Sequence, residues 1–320
     1  MSSASKYRPG LVAHADWSVD PAKRWITTAI KTAGRYSVSA AQLCPPPETL
    51  VGELSQQSPD SGVLLGFDFP TGLPQHLSEA LRVKTFRDVL ARLSTSAWPE
   101  FLNPAENLTD VAPTRPFFPA RRLPKGVVTR AGLANALGAA GYDDLLRRCD
   151  RPSVERRATA CLFFLIGGQQ VGKAAIAGWR GLILPHHDDP SVALWPFDGD
   201  LFTLLAPRRT VLCETYPGEF TRPLGLPIGS GGRSKRRQAD RQAAAAQLHH
   251  YAAGLDLDLS PELSSQIDDG FGPKLDGEDA FDSVVGLLGM LAVLAGRLAE
   301  GVPRDNPSVA LEGWILGHAP

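Results

Sequence analysis

The sequence predicts an α/β protein in which a mixed β-sheet is flanked by helices, and three observations carry that prediction. Runs of strand length, Leu11 to Ala15 (apolar apart from His14), Val63 to Phe67 and Val211 to Cys213, each end in an acid: Asp16, Asp68 and Glu214. Continuous runs of this kind fill strands buried on both faces. Between the first two lies Glu48 to Ser55, whose Leu50, Val51 and Leu54 fall on one helical face. Near the end of the chain, the segment beginning at about Glu278 is apolar nearly all round after its first turn, which implies a helix buried in the core.

The elements follow in order. After Asp16 and Trp17 come the turn residues Ser18, Asp20 and Pro21. Arg24 to Ile30 and Tyr36 to Leu43 then read as two further strands of an antiparallel meander. Pro45 to Pro47 end the meander, and the helix after them leads to Val63 to Phe67, so the first and fourth strands lie side by side. Pro70, Gly72 and Pro74 force a turn after Asp68.

The stretch 77–154 differs in character. Phe86 to Leu93 is an amphipathic helix, Pro99 to Lys125 is rich in Pro and Arg, and Thr129 to Leu146 is helical but broken at Gly138 and Gly141. It reads as an insertion, or lid, within a single domain spanning 1–320. Its arginines, Arg115, Arg147, Arg148 and Arg156 among them, either line a groove for phosphates or form a solvated face.

Beyond it, Gly167 to Lys173 has the spacing of a P-loop, but Ala174 stands where a Ser or Thr must hold magnesium. A Gly-rich turn feeding the helix Ala174 to Trp179 accounts for the same residues. Ser191 to Asp198 reads as an edge strand. Gly231 to Arg241 carries five cations at the head of an Ala-rich helix, Gln238 to Tyr251. That patch binds phosphate at the helix start or simply solubilises the helix face.

Composition narrows the classes. The chain has 320 residues, is 43% hydrophobic and 21% charged, and so has ample length for a core. A formal net charge of -1 gives no global field to draw in nucleic acid or anionic membrane, so any such contact needs a local basic patch. Cys44, Cys149, Cys161 and Cys213 are scattered, which favours reduced thiols and a cytoplasmic location over a zinc site or a disulfide framework. Met1 to Gly10 lacks the apolar core of a secretory signal, and Ser283 to Gly296 is too short to span a bilayer, so no membrane association is expected.

The chemistry lies in the acids. Asp68 alone has two readings, a turn cap bonded to its own backbone or a ligand. Asp16 and Glu214 end strands in the same manner, and Asp279 and Asp282, three apart, share a face of the first turn of the last helix. Acids at element ends are the donors that Mg²⁺ or Mn²⁺ prefer. Two such ions activate a water and stabilise the leaving oxygen in phosphodiester hydrolysis, and without them the acids repel one another.

The chain also resembles the family called domain of unknown function 429. The resemblance rests on Ala15-Asp16-Trp17, Gly66-Phe-Asp-Phe-Pro-Thr-Gly-Leu-Pro74, the stretch Gly168 to Gly178 with Val171-Gly172, Leu194-Trp-Pro-Phe197, Cys213-Glu-Thr-Tyr-Pro217 and Gly277-Glu-Asp-Ala-Phe-Asp282. It implies an RNase H-like fold with a five-stranded mixed sheet and an acidic metal site. One departure is Trp17, where the family's first strand often ends in Asp-Gly; a bulky residue there narrows access or stacks on a base.

The function expected is therefore a metal-dependent nuclease or related phosphodiester hydrolase. Asp16, Asp68, Glu214 and Asp279 or Asp282 hold the metal ions, Mg²⁺ or Mn²⁺. Trp17, Lys235, Arg236 and Arg241 contact the substrate, a nucleic acid or nucleotide held by the local basic patch. The rivals are a sugar-kinase-like phosphotransferase, which needs two related halves, and a non-catalytic binding module on the same fold.

Overall fold

The computed structural model describes residues 7–319 apart from 122, 124–128, 153–158, 167–170, 230, 275–276 and 304–305. The expectations for Met1 to Lys6, Lys125, Arg156 and the turn 167–170 lie outside the described residues. Two compact units emerge. The first comprises Met1–Asp68, Asp189–Val302 and Ile315–Ala319; the second is built chiefly from Phe69–Asp188 and Pro303–Trp314. The stretch 77–154 falls inside the second.

All the strands among the described residues belong to the first unit. They are β1 (Leu11–Asp16), β2 (Trp25–Thr32), β3 (Arg35–Val38), β4 (Gln42–Leu43), β5 (Val63–Phe67), β6 (Val192–Trp195), β7 (Thr210–Glu214) and β8 (Leu257–Leu259). They form one mixed sheet in the order β6-β7-β5-β1-β2-β3-β8, with β4 paired to β2. The α/β class with a mixed sheet flanked by helices is thus as expected, and Ser191 to Asp198 does supply an edge strand.

Among the described residues the sheet has eight strands rather than the five expected. Tyr36 to Leu43 does not run as one strand, because the side-chain amide of Gln266 takes both the N–H and the C=O of Ala41, at 2.9 and 3.0 Å. The run therefore splits into β3 and β4. Leu257–Leu259, only three residues long, adds a strand parallel to β3 that the sequence reading missed.

At the centre, β1 is buried throughout, antiparallel to β2 and parallel to β5. The Gly277–Leu294 helix covers one of its faces. Its Gly286 sits so close to the His14 ring that an added Cβ would come within 2.3 Å of it, and Ser283 Oγ shares a 2.7 Å hydrogen bond with Thr27 Oγ1. The Pro47–Gln57 helix lies on the opposite face, where Ser55 Oγ meets Thr210 Oγ1 at 3.1 Å. With both faces covered, the largely apolar character of these strands is accounted for.

The second unit packs around aromatic rings. Phe86, Phe101 and Phe117 each lie against Trp179, with centroids 5.0 to 6.5 Å apart. Its Pro70–Pro74 turn is held from several sides. Trp179 Nε1 donates to Pro70 O at 2.8 Å, and Arg147 donates to Thr71 O. Gly72 has φ of +98° and faces the Glu312 carbonyl at a distance that would leave a Cβ 2.3 Å away, so only glycine fits. Arg147 is fully buried and paired with Asp150 at 2.8 Å, which makes it a core residue and removes it from any phosphate groove.

Candidate carboxylate site

The register of three parallel strands decides which acids meet. Ala15 pairs with Phe67, and Phe67 pairs with Glu214, so these three side chains share one row and one face. Asp16 and Asp68 are each one residue further on and point to the other face, the one covered by the Gly277–Leu294 helix. Glu214 is buried on the far side of the sheet. The strand-end acids thus divide into a pair, Asp16 and Asp68, and a separate residue.

Asp68 does not close a turn on its own backbone. Its Oδ1 accepts from Trp17 N at 2.6 Å, across to the neighbouring strand. Asp68 is half-buried, whereas Asp16 and Asp282 are buried. The helix contributes Asp282 together with Asp279, as expected, and also Glu278, which the sequence reading passed over. Residues three and four apart on a helix share a face, so Glu278, Asp279 and Asp282 rise together at its first turn.

This crowding has electrostatic consequences. Burial, then repulsion from Asp68, Asp282 and Asp279, hold the Asp16 carboxyl well above the usual carboxylate range. Burial pushes Asp68 up to about 7, partly offset by the Trp17 N–H, with Asp282 adding to the rise. Asp279 is pushed up to about 6 by burial and by Asp282 and Glu278. Asp282 is raised by burial although Lys235 opposes the shift.

Lys235 is the cation within this group. Its Nζ bonds to Asp282 and lies 3.4 Å from Glu278 Oε1. Burial alone would lower its pKa, but the attraction of Asp282, Asp16 and Glu278 prevails and raises it. Arg236 is exposed, with Nε 3.7 Å from Glu278 Oε2. Arg241 is buried and donates to the carbonyls of Gly270, Gly272 and Lys235 at 2.7, 2.7 and 2.5 Å. Trp17 is buried, and the Arg24 guanidinium lies 4.3 Å over its ring. Of the four residues expected to touch substrate, Arg236 alone presents its side chain mainly to solvent.

The helix after the basic run starts where expected but is interrupted. Gln238 to Tyr251 divides into Gln238–Gln242 and Ala245–Gly254. Arg237 pairs with Asp240 at 2.6 Å.

A support beneath the site went unread in the sequence. His14, two residues before Asp16 and on the same face, bonds Thr215 Oγ1 through Nε2 at 2.7 Å. Burial lowers its pKa to about 3, so the ring is neutral at ordinary pH. A histidine inside an apolar strand, in phase with a strand-end acid, was the available signal.

Among the described residues, no three of His, Cys, Asp and Glu form a ready metal-binding group. Likewise, no helix among them is long and apolar enough to cross a membrane. In comparisons with known proteins, the chain matches no family model, no curated protein and no solved structure.

Proposed function

We propose that Asp16, Asp68 and Asp282 bind a divalent cation, Mg²⁺ or Mn²⁺, and that the chain is a metal-dependent phosphodiester hydrolase of the nuclease type on an RNase H-like fold. One observation carries this reading. Two carboxylates end adjacent parallel strands on the same face, and a third comes from the helix that covers that face.

The donors suit such an ion by type, although among the described residues no three are placed as a ready metal-binding group. All the donors are hard oxygens, and Mg²⁺ commonly takes only one or two protein carboxylates, completing its shell with water and substrate phosphate. A bound ion supplies Lewis-acid activation of water and neutralises charge on phosphate. The chain's own contribution is placement. Trp17 N–H orients Asp68, and the sheet register sets Asp16 beside it. Support for the RNase H-like part comes from the β1–β3 meander followed by a helix and by strands β5 and β7 parallel to β1.

The test is cleavage of single-stranded and duplex DNA and RNA with Mn²⁺, comparing wild type with Asp68→Asn. Loss of a first carboxylate should lower the rate roughly 100-fold or more. The reading of the site fails if the variant cleaves as fast as wild type. The non-catalytic reading has one observation in its favour, since Lys235 already gives the acids a cation. It predicts no metal-dependent cleavage by either protein. A two-halved kinase finds no such support, because all strands among the described residues lie in one sheet.

A further inference from the structure

We propose that a cavity at the end of the Gly277–Leu294 helix remote from the acids binds an organic phosphate of the nucleotide class. Its phosphate meets Arg8 and Lys31, and its ring lies against Tyr7 and Phe202. This site is separate from the carboxylates and does not depend on a metal there. Asp279 lies in the first turn of the helix and Leu294 is its last residue, roughly 22 Å away at the α-helical rise.

The cavity forms because β2 runs on beyond the helix that covers it. Thr27 meets Ser283 beneath the helix, and Lys31, four residues further along the strand, lies on the same face. The helix stops at Leu294, where a cavity of about 680 Å³ opens. Tyr7, Arg8, Lys31, Phe202, Leu294 and the turn after it form its lining. That volume falls within the range of small-molecule and cofactor sites.

The segment that brings Tyr7 and Arg8 is pinned on both sides of the arginine. Tyr7 Oη accepts from Gly62 N at 2.9 Å, and Pro9 O accepts from Tyr36 Oη at 2.6 Å. Gly10 O accepts from Lys31 N at 2.8 Å, which ties this segment to the residue carrying the second cation.

Neither cation has a partner among the described residues, and no acid among them lines the cavity. Nearby cations differ. Arg35 on the adjacent strand pairs with Asp256 and Asp258 at 3.0 and 2.9 Å, and Arg297, just past the helix end, donates to the Gly254 carbonyl. Attraction to the helix terminus does not account for Arg8 and Lys31 either. The last carbonyls, those of Leu291, Ala292 and Val293, already accept from the N–H groups of Ala295, Arg297 and Gly296. Two unpaired cations in one concavity repel each other, and a bound anion relieves that repulsion. A phosphate accepts from both, while Tyr7, Phe202 and Leu294 supply a wall that suits a ring.

Isothermal titration calorimetry of the full-length protein with AMP, adenosine and inorganic phosphate tests the site. Chelator is present throughout, so that no metal bridges phosphate to the carboxylates. AMP should bind about tenfold or more tightly than adenosine or inorganic phosphate. Arg8→Met and Lys31→Met should each weaken AMP about tenfold, and Lys31→Arg should keep most of the affinity. Both side chains are exposed, so neither change threatens the fold. Arg92→Met, which removes an exposed charge from the Phe86–Ser94 helix, should leave binding unchanged.

Failure of AMP to bind, or binding that survives both R8M and K31M unchanged, would overturn the site. Adenosine or inorganic phosphate binding as tightly as AMP would overturn the ligand class. Neither result bears on whether the carboxylates hold a metal.

Discussion

The Arg241 guanidinium donates to three main-chain carbonyls, those of Gly270, Gly272 and Lys235, and is almost wholly buried. From sequence it was one cation in a basic run, and a charge run gives no sign of which members turn inward. Lys235 and Arg241 both do, because the carboxylates that meet Lys235 and two of the three carbonyls that meet Arg241 come from residues 270–282, distant in the chain. Replacing Arg241 with Met would leave these carbonyls without their donor. Each buried unsatisfied group costs on the order of 1–3 kcal/mol, so Arg241→Met should destabilise the chain by about 3 kcal/mol or more in urea unfolding. Lysine cannot reproduce the fork geometry, and Arg241→Lys should recover only part of that loss. If R241M unfolds at the wild-type midpoint, the guanidinium is not holding these segments together.

Among the elements, the apolar runs ending in acids were legible as strands because burial on both faces leaves an unmistakable composition. Their phase was not. Asp68 and Glu214 each end such a run, yet β5 pairs Phe67 with Glu214, and a one-residue offset turns the two acids to opposite faces. No periodicity in either run records that offset; it is set by pairing between strands far apart in sequence. The break at Ala243–Ala244 was equally hidden, since alanine is the best helix former.

The seating of the Gly277–Leu294 helix on β1 makes a prediction at this scale. Gly→Ala inside a helix ordinarily stabilises by about 1 kcal/mol through propensity. At Gly286 the added methyl would come within 2.3 Å of the buried His14 ring, so packing overrides propensity. Gly286→Ala should destabilise by roughly 1–3 kcal/mol, the usual cost of overpacking. Paired with His14→Ala it should cost less than the two single changes added together. Strict additivity in that double-mutant cycle would mean the helix does not rest on the His14 ring.

For the molecule as a whole, the carboxylate site governs how stability responds to pH. An unfolded Asp titrates near 4, whereas Asp68 is pushed up to about 7, Asp279 to about 6, and Asp16 and Asp282 are also raised. Between those values the folded chain binds more protons than the unfolded one, so stability falls as pH rises. His14 acts in the opposite sense. Its folded pKa of about 3 lies below the ordinary value of 6.5, so below 6.5 the unfolded chain holds one extra proton there. Asp88 and Asp240 are lowered too, but near the surface, where solvent screens the effect.

The sign is therefore cleanest above about pH 6.5, where His14 no longer contributes and Asp68 is still losing its proton. In chelator, the melting temperature should drop between about pH 6.5 and 8. A divalent ion binds the deprotonated carboxylates, so the stabilisation by millimolar Mn²⁺ should grow over the same interval. Thermal denaturation at a series of pH values, with chelator and with Mn²⁺, measures both slopes. A Mn²⁺ shift that stays constant across the interval would separate the metal from these carboxylates. A flat profile in chelator would show that the acids are not crowded as their placement requires.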